Sequence, residues 1–460
     1  MDKAHAMRLL NRVVRVEASE AAAMLWSFGY FFCLLCGYYI LRPVRDEMGI
    51  QGGPENLQWV FSGTFLVMLA AIPVFGWLSS RFARRTLLPI VYLFFAVNLL
   101  IFFALLRAEV APAHTAQVFF IWVSVFNLFV VSVFWSFMAD LFRNEQARRL
   151  YGFIAAGGST GALVGPALVT VLAPGVGPAM LLPISACFLL AAVLCIMRLS
   201  SRTAAGGAHE KRESAAGRPL GGGIFAGISL LLRSEYLLGI ALYVILHTVL
   251  STFLYFQQAY IVAGAIQDSG ERTALFATLD LVVNCLTLAV QMFVVGRLIG
   301  KFGVTLALVL LPAVAVAGFL TLGFFPTLAV LIVFGVIRRA GEYAITKPAR
   351  EILFTVLTRE EKYKAKNVID TVVYRGGDAV SSWLFEGLRI LGVSFSGISF
   401  VAVPIALLWA STGYLLGRRQ EQLKAALSAK RRVPLDEPAT TYPAGGLGGP
   451  LDGVAQPEPR

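Results

Sequence analysis

Charged residues stand inside segments that are otherwise apolar, and their spacing is helical. Arg339, Glu342, Tyr343, Thr346, Lys347 and Arg350 recur every three or four positions, so one helix would present them as a single stripe. Asp370, Tyr374, Arg375, Asp378, Ser381, Ser382 and Glu386 make a second stripe. A third group is Arg42, Arg45, Asp46 and Glu47, while Asp140 closes one apolar run and Asp280 stands near Asn284 in another. Arg42 and Asp46 are one turn apart and are expected to pair, which leaves Arg45 facing open space. Ion pairing is the plain reading of any single charge, Arg338 with Glu342 and Lys347 with Glu351 for instance. Each charge costs roughly 2.5 to 3.5 kcal/mol to insert into a bilayer, so two whole stripes point instead to a polar path lined by protein. The excess of Arg and Lys suits an anion, because guanidinium matches phosphate or carboxylate with two parallel hydrogen bonds.

The elements that hold these residues are expected to be membrane spans. Of 460 residues, 57% are hydrophobic and 14% charged, and the mean hydropathy is +0.73. A soluble chain of this length needs more polar surface, so a cytosolic enzyme, a secreted disulfide scaffold and a disordered protein are excluded. Apolar runs near 20 residues long predict twelve helical spans. They fall at 22–42, 57–79, 86–107, 115–140, 150–173, 177–198, 237–262, 273–296, 304–323, 327–348, 367–388 and 394–417. The fold class is an all-α integral membrane protein. No cleavable signal is recognised, and residues 1–21 read as a cytoplasmic segment whose stretch Met7 to Val16 is amphipathic.

Basic residues orient the spans. With the N-terminus in the cytoplasm, the tails and even-numbered connections hold 29 Lys and Arg against five on the other side, Arg42, Arg45, Arg107, Arg272 and Arg389. Both termini are therefore expected in the cytoplasm, with the chain in the inner (plasma) membrane of a bacterium. The net charge of +12 is then topological, and no nucleic-acid partner is expected. The domains expected are a six-helix half at 22–198, a cytoplasmic linker at 199–236, a second six-helix half at 237–418 and a cytoplasmic, disordered tail at 419–460. Cys33 and Cys36 have redox-pair spacing but lie one turn apart within a span, so they read as packing residues.

The halves repeat. Gly76-Trp77-Leu78-Ser79-Ser80-Arg81-Phe82-Ala83-Arg84-Arg85, between spans 2 and 3, is echoed 220 residues on by Gly296-Arg297-Leu298-Ile299-Gly300-Lys301-Phe302-Gly303. Leu141 to Glu145 and Leu357 to Glu361 are a second echo. Two such halves are the build of transporters that rock around a central site. Residues 76–85 resemble the loop signature of the major facilitator superfamily, Gly-x-Leu-x-Asp-Arg-x-Gly-Arg-Arg, with Ser80 for its Asp and Ala83 for its second Gly. The resemblance implies a gating role for Gly76, Arg81, Arg84, Arg85, Gly296 and Lys301. Gly152, Gly161 and Gly165-Pro166 are similar to the fifth-span pattern of that superfamily's antiporters, although Val169-Thr170 replace its final Gly pair.

A narrower likeness lies in three blocks. Arg42-x-x-Arg45-Asp46, Phe134-Trp135-x-Phe137, and Lys347-Pro348-Ala349-Arg350-Glu351 followed by Lys362 to Lys366 and Ile369-Asp370 resemble the nucleotide transporter (ATP:ADP antiporter) family of plastids and intracellular bacteria. That family reads Arg-x-x-Lys-Asp, Phe-Trp-x-Phe and Asp-Pro-x-Lys-Glu in these places. It has a substrate-contacting Lys where Glu342 stands, and acidic residues where Val123 and Tyr255 stand. The chain thus resembles a diverged bacterial relative.

No phosphate-binding Gly-x-x-x-x-Gly-Lys loop is present, so ATP hydrolysis is not expected as the energy source. Gly157-Gly158-Ser159-Thr160-Gly161 fits a nucleophile elbow in letters, but lies within a span rather than at a strand-to-helix turn. The four histidines are scattered, so no metal site is expected, and neither is a cofactor; His247 is read as a proton carrier or, more simply, a hydrogen-bonded helix residue. The reading is a secondary transporter that exchanges a nucleotide or another phosphorylated or carboxylated anion, and not an enzyme. Arg45, Lys347, Arg350, Arg375, Tyr255 and Tyr374 are expected to bind substrate. Asp140, Asp280, Glu342, Asp370 and Asp378 are expected to balance charge or couple. A proton-coupled exporter and a non-transporting scaffold or sensor on the same fold are the alternatives, and the oligomeric state stays open.

Overall fold

The computed structural model describes residues 16–17, 20–82, 84–142, 144–205 and 224–432, and every regular element among them is helical. The amphipathic stretch expected before Val16, the middle of the linker and the tail beyond Arg432 lie outside the described residues. Helices are the solution lipid demands, because each satisfies its backbone donors and acceptors within the segment.

The first six helices are α1 (Ala21–Gln51), α2 (Leu57–Arg81), α3 (Arg84–Arg107), α4 (Pro112–Leu141), α5 (Asn144–Val176) and α6 (Leu181–Ala205). After the linker come α7 (Ile224–Arg233), α8 (Glu235–Ala265), α9 (Ser269–Val290) and α10 (Gly296–Phe324). The remainder are α11 (Leu328–Gly341), α12 (Lys347–Leu353), α13 (Arg359–Val368), α14 (Tyr374–Ile390) and α15 (Phe395–Arg432). Local signals set several starts. Ser234 caps α8, Asp268 caps α9 through the amide of Glu271 at 2.8 Å, and Thr358 with Glu361 forms a reciprocal capping box on α13.

Three π turns interrupt the second half, at Gln291–Val295, Glu342–Thr346 and Ile369–Val373. Each adds a residue to the turn and rotates the helix beyond it, so the stripes read from sequence are re-aimed within their own helices. Nine helical stretches among the described residues are long and apolar enough to cross a membrane, and one, Ser269–Phe324, holds two expected spans. The expected spans at 327–348 and 367–388 do not qualify: α11 has 14 residues and α14 has 17, each ending or beginning at a charged π turn.

The expected end of the first span at 42 is a correction. The helix α1 continues to Gln51 through Pro43, so Arg42, Arg45, Asp46 and Glu47 share one helix, in keeping with their helical spacing. The expected linker is also partly helical, since α6 runs to Ala205 and α7 packs beside α8 and α13.

Two hydrophobic cores result. One gathers α1 and α3 to α6 around Tyr30, Phe119, Phe126 and Phe134; the other gathers α8 to α15, with Leu57 of α2, around Tyr243, Phe256, Phe319 and Trp409. Glycines seat α5 on α1. A Cβ on Gly157 would stand 2.5 Å from the carbonyl oxygen of Phe28, one on Gly161 2.5 Å from that of Phe32, and one on Gly165 2.8 Å from that of Cys36. Ser159 donates to the Ala155 carbonyl within the same helix, so the elbow-like letters are helix packing.

The two halves meet along α5 with α9 and α2 with α14. Asn284 donates to the Ala162 carbonyl at 2.8 Å, the Thr170 and Thr278 hydroxyls lie 3.2 Å apart, and the Trp383 indole donates to Ser62 at 2.9 Å. Trp59 meets Trp383 edge to face at 4.7 Å. Near the same end of the molecule, Arg272 grips Glu47 with Nε and Nη2 at 2.8 and 2.7 Å. These ties run from mid-bundle to the end that carries Gln51 and Ala265; the other end, with Arg81, Lys301 and Lys366, is the basic one.

Candidate functional site

A cavity of about 430 Å³ lies between the two cores. From the first half it is lined by α1 (Tyr38, Arg42, Arg45, Asp46), α2 (Phe61, Thr64, Phe65) and α4 (Phe120, Ser124, Asn127). From the second it is lined by α8 (Ser251, Thr252, Tyr255, Gln258), by α11 and its π turn (Arg338, Arg339, Glu342, Tyr343), and by α12 (Lys347, Arg350). Asp370, Tyr374, Arg375 and Asp378 complete the wall. A second, more apolar space of about 350 Å³ adjoins it between α2, α4 and the start of α14, sharing Phe65, Asn127, Asp370 and Arg375.

Of the expected binding residues, Arg45, Lys347, Arg350, Arg375, Tyr255 and Tyr374 all line this cavity, as do Glu342, Asp370 and Asp378. Asp280 stands immediately behind it, 1% exposed, paired with two lining arginines. Asp140, at the basic end of α4, is not a lining residue. The gating-loop residues are also remote. Arg81 ends α2 with its guanidinium 5.9 Å from the Trp77 ring, and Lys301 lies 5.4 Å from the Phe302 ring. Gly296 opens α10, and neither it nor Gly76 has a neighbour that a Cβ would meet; Arg84 and Arg85 are placed by backbone at the start of α3.

Two expected pairings are corrected. Arg42 does not pair with Asp46. Its Nε lies 3.4 Å from Oδ2 of Asp280 on α9, and Asp280 also takes Arg339, while Arg45 takes Asp46 at 2.6 Å. The helix turns Arg42 toward the second half, where a fully desolvated carboxylate needs two cations to be tolerated. Lys347 does not pair with Glu351, which is held by Lys366 at 2.5 Å. Lys347 lies over the Tyr343 ring instead, 4.2 Å from the centroid. The expected Arg338–Glu342 pair is present at 3.5 Å, and His247 approaches the same carboxylate at 3.2 Å.

Other pairs complete the electrostatics. Arg350 meets Asp370 at 3.0 Å, and Arg375 meets Asp378 at 3.5 Å. The Tyr255 hydroxyl donates to Asp46 at 3.1 Å, and Arg42 Nη2 donates to the Tyr343 hydroxyl at 3.4 Å, so both contacts cross between the halves. Arg350 Nε and Arg338 Nε are buried with no hydrogen-bond partner, which leaves donors unspent at the wall. Tyr343 belongs to the first stripe, four residues before Lys347, but nothing in the spacing brings Arg42 of the other half to its hydroxyl. Val123, where the resembling family is acidic, is 1% exposed in the core, and its neighbour Ser124 reaches the cavity.

The arrangement can bind a small anion with several guanidinium groups and connect that binding to contacts between halves. Among the described residues no group of three or more metal-ligating side chains occurs. The Major Facilitator Superfamily profile matches residues 26–365. A curated relative, ADP,ATP carrier protein 1 of Chlamydia muridarum, is 24% identical over 92% of each chain. Among solved structures, the POT family transporter PepTSo superposes with a TM-score of 0.60 at 14% identity, covering 87% of this chain and 98% of its own. The nucleoside transporter NupG gives 0.61 at 11% identity, covering 89% and 99%. Helices long and apolar enough to cross a membrane, two helical cores and a polar cavity between them agree with these likenesses, and the chain belongs to the major facilitator superfamily, as an integral membrane transporter.

Proposed function

We propose that the protein is a secondary transporter that exchanges a nucleotide, or another phosphorylated or carboxylated organic anion, by alternating access. The observation that carries this reading is the convergence of seven Arg and Lys side chains on one cavity between the two cores. Arg45, Lys347, Arg350 and Arg375 grip the anion, with Tyr255 and Tyr374 beside it. Asp280, Glu342, Asp370 and Asp378 hold the cations in place between turnovers, and Asp140 is left to a role away from the cavity. The whole-length likeness to an ADP,ATP carrier supports the substrate class. By the distribution of basic residues, the basic end faces the cytoplasm of a bacterial inner membrane, and Glu47–Arg272 closes the far side.

The test is uptake of labelled AMP, ADP and ATP into proteoliposomes, empty or preloaded with the unlabelled compound. Exchange predicts uptake that needs preloading and is lost in Arg45→Ala. Equal uptake by empty and preloaded vesicles contradicts exchange, and no flux of any of these anions by folded protein contradicts the nucleotide reading.

A further inference from the structure

We infer that the cavity selects a doubly charged phosphate monoester, of the nucleoside monophosphate type, over nucleoside di- and triphosphates. The inference rests on the anion-exchange reading and narrows its substrate.

Charge carries the argument. The seven lining cations face Asp46, Glu342, Asp370 and Asp378, with Asp280 behind them, which leaves a surplus of two positive charges. The surplus has an address. Arg45, Arg338, Arg350 and Arg375 each have a carboxylate of their own. Arg42 and Arg339 share Asp280, so one charge of that trio is uncompensated. Lys347 is in no ion pair among the described residues and leans on a ring. Both surplus charges meet at Tyr343, whose hydroxyl accepts from Arg42 while its face carries Lys347.

A phosphate monoester brings a charge of about −1.5 to −2 near neutral pH and three acceptor oxygens, which matches two cations around one ring. A nucleoside triphosphate would bring about two further charges, and those would lie against carboxylates already engaged by the other arginines. Elsewhere on the wall Phe61, Phe120 and Tyr255 form an aromatic cluster, with ring centroids 5.5 Å apart for Phe61–Tyr255, 5.9 Å for Phe61–Phe120 and 6.4 Å for Phe120–Tyr255. Such a surface suits an aromatic base.

The test holds the body constant and varies only the charge. Proteoliposomes preloaded with AMP take up labelled AMP while adenosine, cyclic AMP, AMP, ADP or ATP competes, a series running from about 0 to about −4. The inference predicts AMP as the strongest competitor, by about tenfold or more over ADP and ATP, a difference of about 1.4 kcal/mol in binding. It also predicts that Lys347→Gln moves the preference from AMP toward singly charged cyclic AMP, and that Lys347→Arg keeps it with AMP. ADP or ATP competing as well as AMP would overturn the charge selection and leave anion exchange standing. Exchange of a dicarboxylate with no response to AMP would overturn the phosphate ester in the same way. No exchange of any anion by folded protein would remove both readings.

Discussion

Arg42 on α1 reaches past Asp46, one turn away on its own helix, to pair with Asp280 on α9 at 3.4 Å. Asp280 is 1% exposed and also takes Arg339, so a single carboxylate ties the first half to two helices of the second. Because the tie crosses between the halves, it belongs to the core of neither.

Removing that carboxylate should therefore be costly. In Asp280→Asn, Arg42 and Arg339 are left buried without a counter-charge, and breaking such a pair costs about 3–5 kcal/mol. The expected result is a clearly lower melting temperature in detergent, part of it recovered when a high concentration of inorganic phosphate supplies the missing charge. An unchanged melting temperature would mean that Asp280 is not the counter-charge of this pair.

The Glu47–Arg272 contact is another cross-half tie, with the carboxylate 0% exposed and held by two donors. Glu47→Gln should loosen the end that carries Gln51 and Ala265. In a background freed of native cysteines, a Ser124→Cys probe in the cavity should react faster with an impermeant maleimide added from that side. About tenfold is expected if the change weakens closure by about 1.4 kcal/mol. No change in rate would assign closure to other contacts, such as Trp59 with Trp383.

Arg45 and Arg375 line the cavity beside carboxylates rather than in the cores. Arg45→Ala and Arg375→Ala should lower exchange by tenfold or more, since losing one charged partner of a bound ion costs about 2–5 kcal/mol. Arg375→Lys should recover only part, because an ammonium cannot make the two-pronged contact. The measurement is initial uptake rate at matched reconstitution.

Glycines on α5 offer a test of packing. Gly161→Ala places a Cβ 2.5 Å from the Phe32 carbonyl oxygen, which forces α1 and α5 apart, whereas Gly152→Ala meets nothing within 4 Å. The first should cost about 1–3 kcal/mol and the second almost nothing, read as melting temperature. Equal effects would mean that close approach is not what Gly161 supplies.

What the sequence by itself determined is the class of protein and a set of charged and aromatic residues that line one cavity. Apolar runs of bilayer length can only be helices in lipid, and charges among them can persist only against protein or water. Hence Arg45, Lys347, Arg350, Arg375, Tyr255 and Tyr374 were legible as cavity residues before any coordinates. The repeat of Gly76 to Arg85 at Gly296 to Gly303 likewise pointed to the superfamily.

The tertiary structure decided which charge meets which. Helical spacing offers Asp46 to Arg42 and Glu351 to Lys347, but partners on other helices, Asp280 for Arg42 and Lys366 for Glu351, override both. Lys347 and Glu351 share α12 one turn apart, yet Lys366 on α13 takes Glu351 and Lys347 lies over the Tyr343 ring. The surplus positive charge at Tyr343 exists only because one helix of the first half and two of the second are brought together at Asp280 and that ring. Pattern along a chain specifies a face, whereas ion pairing is settled by distance through space.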